Sequence, residues 1–318
     1  MRILVTGAAG FIGFHVAMRC RQLGHFVVGL DNFNPYYDVR LKRARQQVLS
    51  NAGVDIVEHS VEEESSLQQL VKKESITHII HLAAQAGVRY SLEAPHTYLR
   101  SNIDGFLSIL EAARAFPHIR TIWASSSSVY GANTKLPFSE EDRTDTPTNL
   151  YGATKKANEV MASSYHHLFK MPLIGLRFFT VYGPWGRPDM AYFLFADKII
   201  RGEPIDLFGE GKLRRDFTYI DDIVDGIVAA LTSQKQYAIY NLGNTKPESV
   251  VDLVTCLEEA FQKKAVIRLK PQPPGDMVET CADIQKAADD LGFSPKTSLK
   301  TGIGSFAAWY REYSKLFS

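Results

Sequence analysis

Gly7-Ala8-Ala9-Gly10-Phe11-Ile12-Gly13 joins a short apolar run, Ile3-Leu4-Val5, to a stretch in which Phe11, Ile12, His15, Val16 and Leu23 fall at helical spacing. A strand that turns through glycines straight into a helix is a demanding local structure. Glycine permits the sharp turn and lets backbone N–H groups approach a pyrophosphate, while the helix amino terminus adds partial positive charge at the same place. The spacing is G-x-x-G-x-x-G, distinct from the G-x-G-x-x-G of many dinucleotide-binding turns. Gly24 ends the helix, and Phe26–Leu30 reads as a second strand closed by Asp31. A carboxylate at that point accepts hydrogen bonds from ribose hydroxyls and repels a 2′-phosphate, which favours NAD over NADP.

The alternation then continues. Helices are expected near Val39–Ser50, Ser65–Lys73, Pro95–Ala115 and Leu150–Phe169, and strands at Asp55–Val57, His78–Leu82, Ile119–Ala124 and Leu173–Phe178. Strands that alternate with helices imply a parallel sheet covered on both faces, so the fold class is α/β, a Rossmann-type doubly wound sheet. Composition changes after Tyr182. Gly183–Pro188 reads as a loop, an apolar helix follows from about Met190 to Arg201, and a Pro-rich turn occupies Pro271–Gly275. The expected organisation is a nucleotide-binding domain over 1–182, rejoined by part of 216–242, and a smaller mixed α/β substrate region over 183–318. In the helix near Val39–Ser50, Arg40, Lys42 and Arg43 are read as a solvated face.

Bulk properties narrow the partners. The formal net charge is +1 with no long basic run, so neither nucleic acid nor an anionic membrane surface is called for. Cys20, Cys256 and Cys281 are odd in number and far apart, against a disulfide framework or a zinc site and for a reducing compartment. No apolar run is long enough for a signal peptide or a membrane span, which makes the cytoplasm the expected location. The nine histidines show no ligand spacing, and the adjacent His166 and His167 point to different faces of a helix, so no metal is expected.

The reacting groups are expected at Tyr151-Gly152-Ala153-Thr154-Lys155. Tyr and Lys at i and i+4 share one helix face, and the lysine's charge lowers the phenol's pKa. A phenolate so placed can take the proton of an alcohol whose carbon is being oxidised. Taken with the glycine turn and Ser125–Ser128, the pattern resembles the extended short-chain dehydrogenase/reductase family, in its nucleotide-sugar epimerase and dehydratase branch. The resemblance covers nearly the whole chain. It implies a reaction triad of Ser126, Tyr151 and Lys155. It implies NAD contacts from Gly7, Gly10, Phe11, Ile12, Gly13, Asp31, Asn32, Leu82, Ala84, Asn102, Tyr151, Lys155 and Phe178, with Ala83 and Gln85 beside them in the small-residue run after the fourth strand. Many relatives carry an Asp and an aliphatic residue against the adenine, where this chain has Ser60-Val61.

The resemblance also separates reactions. Related 4,6-dehydratases place an Asp-Glu pair where Ser127 and Ser128 stand, and UDP-glucuronate decarboxylases typically place Glu at the position of Ser128. Serine cannot replace that acid or base. The stretches 31–38, 84–91 and 178–191 resemble the UDP-glucuronate 4-epimerase subgroup, with Thr180 where UDP-galactose 4-epimerases usually carry Asn. The expected reaction is C4 epimerisation of a UDP-sugar, with a neutral UDP-hexose epimerase, a decarboxylase or a non-catalytic NAD sensor as alternatives. Arg215 is implied as a phosphate ligand and Asp276 as a uridine ribose contact. Arg187 is a candidate for a phosphate or the sugar, against a loop salt bridge. Arg89 belongs to the 84–91 stretch and is placed with the substrate. Ser127, Ser128 and Thr180 are proposed to orient the sugar carboxylate. The same family implies a homodimer in which Leu107, Leu110, Met161 and Leu168 meet a second copy, the alternative being that they pack under the sheet.

Overall fold

The structure is a computed structural model and describes residues 1–271 and 277–317. Asp276, with most of the Pro271–Gly275 turn, lies outside the described residues. Strands β1 (Arg2–Thr6), β2 (Phe26–Asp31), β3 (Asp55–Glu58), β4 (His78–His81), β5 (Arg120–Ser126) and β6 (Leu173–Phe178) fall where alternation places them. After β7 (Thr180–Tyr182), β8 (Pro204–Phe208) and β9 (Arg214–Tyr219), the chain returns as β10 (Tyr237–Leu242) beside β6. The main sheet has seven parallel strands in the order β10-β6-β5-β4-β1-β2-β3, with helices on both faces. This is the Rossmann-type arrangement, reversing direction between β1 and β4.

Period-two alternation divides the buried side chains between two layers. Ile3 and Val5 enter one, with Phe14, Val16 and Ile227 from the helices Phe11–Gln22 and Ile220–Leu231. Leu4 enters the other, with Leu67, Ile109 and Ala162 from Glu64–Lys73, Gly105–Ala115 and Leu150–Phe169. Strands buried on both faces read as continuous apolar runs, as β1 and β6 do. The first layer continues without a break to Phe306 and Tyr310 in the last helix.

Two small sheets complete the molecule. β7 pairs in parallel with β9, which pairs antiparallel with β11 (Pro247–Ser249), and β8 pairs in parallel with β12 (Val266–Lys270). β7 follows β6 after a single residue, so the chain passes directly from the main sheet into the mixed α/β region.

One expected element differs. Pro95–Ala115 is not a single α-helix. A short helix Pro95–Tyr98 leads into a π-helical stretch, Leu99–Asp104, before the α-helix Gly105–Ala115. The wider turn puts Asn102 inside, where it has a structural task. Its Oδ1 accepts from Gln85 N at 2.8 Å, and its Nδ2 donates to Gln85 O and to Thr154 Oγ1, both at 3.0 Å. Periodicity could not reveal this, because one extra residue per turn leaves the apolar pattern on both sides nearly unchanged.

Candidate active site

A cleft opens at the carboxyl ends of the strands, at the point where strand order reverses. Gly7, Gly10 and Gly13 form its floor. Gly7 has φ +70°, and a Cβ on Gly13 would lie 2.1 Å from the Gly7 carbonyl oxygen. The turn is therefore closed by backbone against backbone, with no space for a side chain. Gly13→Ala is expected to distort it and cost several-fold or more in dinucleotide affinity together with a lowered melting temperature. Titration with NAD and a thermal melt of the variant would check this.

Asp31 closes the rear of the turn. Its Oδ2 accepts from Ala9 N at 3.0 Å and its Oδ1 from Phe33 N at 2.8 Å. Lys42 Nζ stands 3.9 Å from Oδ1 and lines the cleft. The expectation that Arg40, Lys42 and Arg43 form one solvated face therefore fails at Lys42. Arg40 pairs with Asp38 and Arg43 with Glu58 at the surface, but the helix Val39–Asn51 buries Leu41, Lys42, Arg45 and Leu49. That spacing is a helical stripe, and reading charge type ahead of position concealed it.

Arg45 is fully buried. It donates to Ala9 O (2.9 Å), the Tyr37 hydroxyl (2.8 Å), Trp185 O (2.6 Å) and Gly186 O (3.0 Å). It thereby ties the glycine turn to the loop that precedes Arg187. His15 adds a second tie, with Nε2 2.9 Å from Pro184 O. Burial lowers the His15 pKa to about 4, so that side chain is neutral at physiological pH.

The reacting groups meet on the opposite wall. Ser126 ends β5, and its Oγ accepts from Ser128 N at 3.1 Å. Asn149 caps the helix Leu150–Phe169 by accepting from Gly152 N at 2.8 Å, which starts the helix with Tyr151 in its first turn. Gly152 lets the helix seat closely, since a Cβ there would lie 2.5 Å from Ser128 O. Tyr151 then stands with Ser126 on the lining of the cleft. Burial pushes the phenol's pKa up, while the Ser126 hydroxyl and the charge of Arg187 pull it back. Lys155 was expected to supply that downward pull. Its Nζ instead donates to Ala124 O at 2.9 Å, and burial lowers its pKa to about 8. Between β1 and β4, Thr6 Oγ1 lies 2.8 Å from His81 Nδ1, and burial followed by the charge of Lys155 lowers the His81 pKa to about 3.

The depressed Lys155 value has a consequence for stability. The folded chain releases this proton near pH 8 and the unfolded chain near 10.5. Between those values the unfolded state binds more protons, so stability gains as pH rises and the burden of the buried charge is greatest below pH 8. Lys155→Met is expected to compare best with the wild type at pH 7 and to lose that relative gain by pH 10.5. Denaturant titrations of both proteins at the two pH values would measure it.

Arg187 also lines the cleft. Its Nε and Nη2 hold Asp189 Oδ1 at 3.0 Å and Oδ2 at 2.6 Å, and the Tyr36 hydroxyl donates to the same Oδ2 at 3.1 Å. Burial works against the guanidinium's charge, but Asp189 more than offsets it. The salt-bridge reading and the cleft reading of Arg187 thus both describe the same side chain.

Of the expected site residues, Gly7, Gly10, Phe11, Ile12, Gly13, Asp31, Asn32, Val61, Leu82, Ala83, Ala84, Gln85, Ser126, Tyr151, Lys155, Phe178 and Arg187 share this cleft. Ser60, Asn102, Ser127, Ser128 and Thr180 are not among the residues that line it. Arg89 lies over the Phe208 ring at 5.1 Å. Arg215 donates to Arg214 O at 2.9 Å, on the second sheet. Lining residues that sequence reasoning missed include Tyr36, Tyr37, Lys42, His59, Glu62 and Met190. Most sit in loops, where no periodic pattern marks them.

The profile of the NAD dependent epimerase/dehydratase family matches residues 3–243. The chain belongs to that family. The chain is 51% identical over 329 residues to UDP-glucuronate 4-epimerase 3 of Arabidopsis thaliana, covering 98% of this chain and 76% of that protein. Among solved structures, UDP-glucuronic acid 4-epimerase from Bacillus cereus, in complex with UDP-glucuronic acid and NAD, superposes with a TM-score of 0.92 at 35% identity, covering 98% of this chain and 100% of that one. UDP-glucose 4-epimerase of Thermotoga maritima, with UDP-glucose, superposes at 0.89 with 29% identity, covering 99% of this chain and 100% of that one. The cleft suits the family's dinucleotide. Its glycine floor admits backbone donors alone, Asp31 is fixed at the end of β2, and small residues from Leu82 to Ala84 form the opposite side.

Proposed function

We propose that the protein is an NAD-dependent isomerase that inverts C4 of a UDP-sugar, converting UDP-glucuronate to UDP-galacturonate through a 4-keto sugar. The observation that carries this reading is that Ser126, Tyr151 and the buried Lys155 line one cleft together, facing the glycine turn across it. Bound NAD supplies the acceptor that takes hydride from C4 and returns it to the opposite face. Gly7, Gly10 and Gly13 would hold its pyrophosphate, Asp31 and Asn32 a ribose, and Phe178 and Lys155 the nicotinamide end.

Tyr151 accepts the C4 hydroxyl proton as the C4–H bond breaks, and Ser126 donates to the same oxygen. After the ring turns over, Tyr151 returns the proton to that oxygen, so no net electrons or protons are exchanged. The protonated Lys155, at about 8, keeps positive charge beneath the site at neutral pH. Remote binding of the UDP moiety can retain the intermediate while the sugar moves. Arg215 and Asp276 are assigned to that moiety.

A 4-keto uronate is a β-keto acid and loses CO2 when its carboxylate C–C bond stands perpendicular to the ketone plane. Arg187, lining the cleft, can hold the carboxylate in a safer orientation, and Ser127, Ser128 and Thr180 are assigned as hydroxyl donors from outside that lining. Thr180→Val is expected to weaken carboxylate binding or release extra CO2, and an unchanged variant would remove Thr180 from that role. Dehydration and decarboxylation would need a carboxyl group where Ser127 and Ser128 stand.

The protein is also proposed to act as a homodimer in the cytoplasm. Leu107 and Leu168 are exposed on the helices Gly105–Ala115 and Leu150–Phe169, as is Val160, whereas Leu110 is buried under the sheet. Among the described residues no helix is long and apolar enough to cross a membrane. Incubation of the purified protein with UDP-glucuronate tests the assignment. UDP-galacturonate without CO2 supports it, UDP-xylose would make the protein a decarboxylase, and turnover of UDP-glucose in preference would make it a neutral epimerase.

A further inference from the structure

In a doubly wound sheet the pyrophosphate sits on the glycine turn and the adenosine ribose at the carboxylate that ends the second strand. The adenine must then lie beyond Asp31, towards the residues that follow β3. That end of the cleft is lined by His59, Val61, Glu62 and Ser101. Val61 is buried and supplies an apolar surface, and Gly105 lets the neighbouring helix close on it.

Among the described lining residues, Asp31 and Glu62 are the two carboxylates. Asp31 is already committed to two backbone N–H groups and to Lys42. Glu62 is held from both sides by hydroxyls. Ser101 Oγ donates to Oε1 at 3.1 Å and Ser60 Oγ donates to Oε2, while Asn32 Nδ2 reaches the same Ser60 Oγ at 3.4 Å. His59 is engaged elsewhere, with Glu63 and the Ser60 carbonyl.

Resting on the NAD reading above, we propose that Glu62 reads the base of the dinucleotide, accepting a hydrogen bond from the 6-amino group of adenine. An ionised carboxylate only accepts, and its two oxygens offer about four acceptor sites, so the two serine bonds leave capacity for a third donor. The serines fix the rotamer of a side chain that would otherwise be mobile. Ser60 thus acts on the base through Glu62, as a positioning residue. The arrangement favours a 6-amino purine and disfavours a 6-oxo purine, whose oxygen would face the carboxylate.

The test compares NAD with nicotinamide hypoxanthine dinucleotide, which carries a 6-oxo group and an N1–H in place of the amine. The purified protein is equilibrated with an equimolar mixture, washed and unfolded, and the released dinucleotides are quantified by chromatography. The wild type should retain NAD over the hypoxanthine analogue by roughly tenfold, the worth of one hydrogen bond to a charged group. Glu62→Gln should bring the ratio near unity, because glutamine can turn either its carbonyl or its N–H to the base. Ser101→Ala, which keeps the carboxylate and frees one side of it, should give an intermediate ratio. If Glu62→Gln folds poorly, Glu62→Ala provides the second variant, and its ratio should also fall to near unity. An unchanged ratio in Glu62→Gln, with NAD still bound by the wild type, overturns the role of Glu62 alone. Failure of the wild type to retain either dinucleotide overturns the cofactor reading and this assignment with it.

Discussion

Tyr151→Phe is expected to lower kcat by about a thousandfold or more while leaving dinucleotide binding and substrate KM close to the wild type, in the range that positioned acid–base groups contribute. The substitution removes one oxygen. The phenyl ring keeps its place against Tyr98, whose ring centre lies 6.3 Å away in an edge-on arrangement, so the cleft keeps its shape. The variant loses the base that takes the sugar proton and the acid that returns it. No neighbouring group can replace it. His81 is neutral and bonded to Thr6, Lys155 is a cation bonded to Ala124, and Arg187 is a cation bonded to Asp189. Steady-state formation of UDP-galacturonate, measured with bound NAD quantified in the same samples, would show the fall in kcat. A variant with more than a tenth of wild-type turnover would refute the role of Tyr151.

Glu159→Ala is expected to destabilise the fold by about 3–5 kcal/mol, the usual cost of leaving one member of a buried ion pair without its partner. Glu159 lies on the buried side of the helix that carries Tyr151 and meets Arg177 of β6 in a two-point contact at 2.8 and 2.9 Å. Both side chains are only 3–4% exposed. Ser125 Oγ donates to the same carboxylate at 2.8 Å, and Arg177 Nη1 donates to the Tyr130 hydroxyl at 2.9 Å. Burial alone would lower the Arg177 pKa, but Glu159 more than reverses this, and removing the carboxylate leaves the guanidinium charged and uncompensated. For a chain of this size the loss corresponds to a melting temperature lower by roughly 5–8 °C. Glu159→Met with Arg177→Leu should recover much of it, because an apolar pair of similar volume leaves no orphaned charge. Thermal melts of the single and double variants would decide the point.

Much of this was legible in the chain before its fold was seen, and for identifiable reasons. β1, β2, β4, β5 and β6 are largely buried on both faces, so they appear as apolar runs, and glycines punctuate them. The glycine turn, Asp31, Ser126, Tyr151 and Lys155 all stand at strand ends or in the first two turns of a helix, where local sequence determines placement. Residues positioned by long-range packing were less legible. Lys42 and Arg45 look like surface charges until the helix is docked against the glycine turn. Glu62 and Tyr36 lie in loops without periodicity. The π turn at Leu99–Asp104 keeps the apolar rhythm of a helix while changing which side Asn102 faces. The strands β7, β9 and β11 have three to six residues each, too few for alternation to announce a second sheet.

The buried guanidinium of Arg45 makes four bonds, all to neutral oxygens, and they join the glycine turn to the Trp185–Gly186 backbone. Prising the Trp185–Gly186 backbone away from the cofactor turn would strand a cation in a dry interior, a penalty of several kcal/mol that thermal motion seldom meets. The cofactor turn and the loop that leads to Arg187 are therefore riveted into a single frame. On that side the site holds still, and the freedom an inversion requires falls to the hexose rather than to this frame.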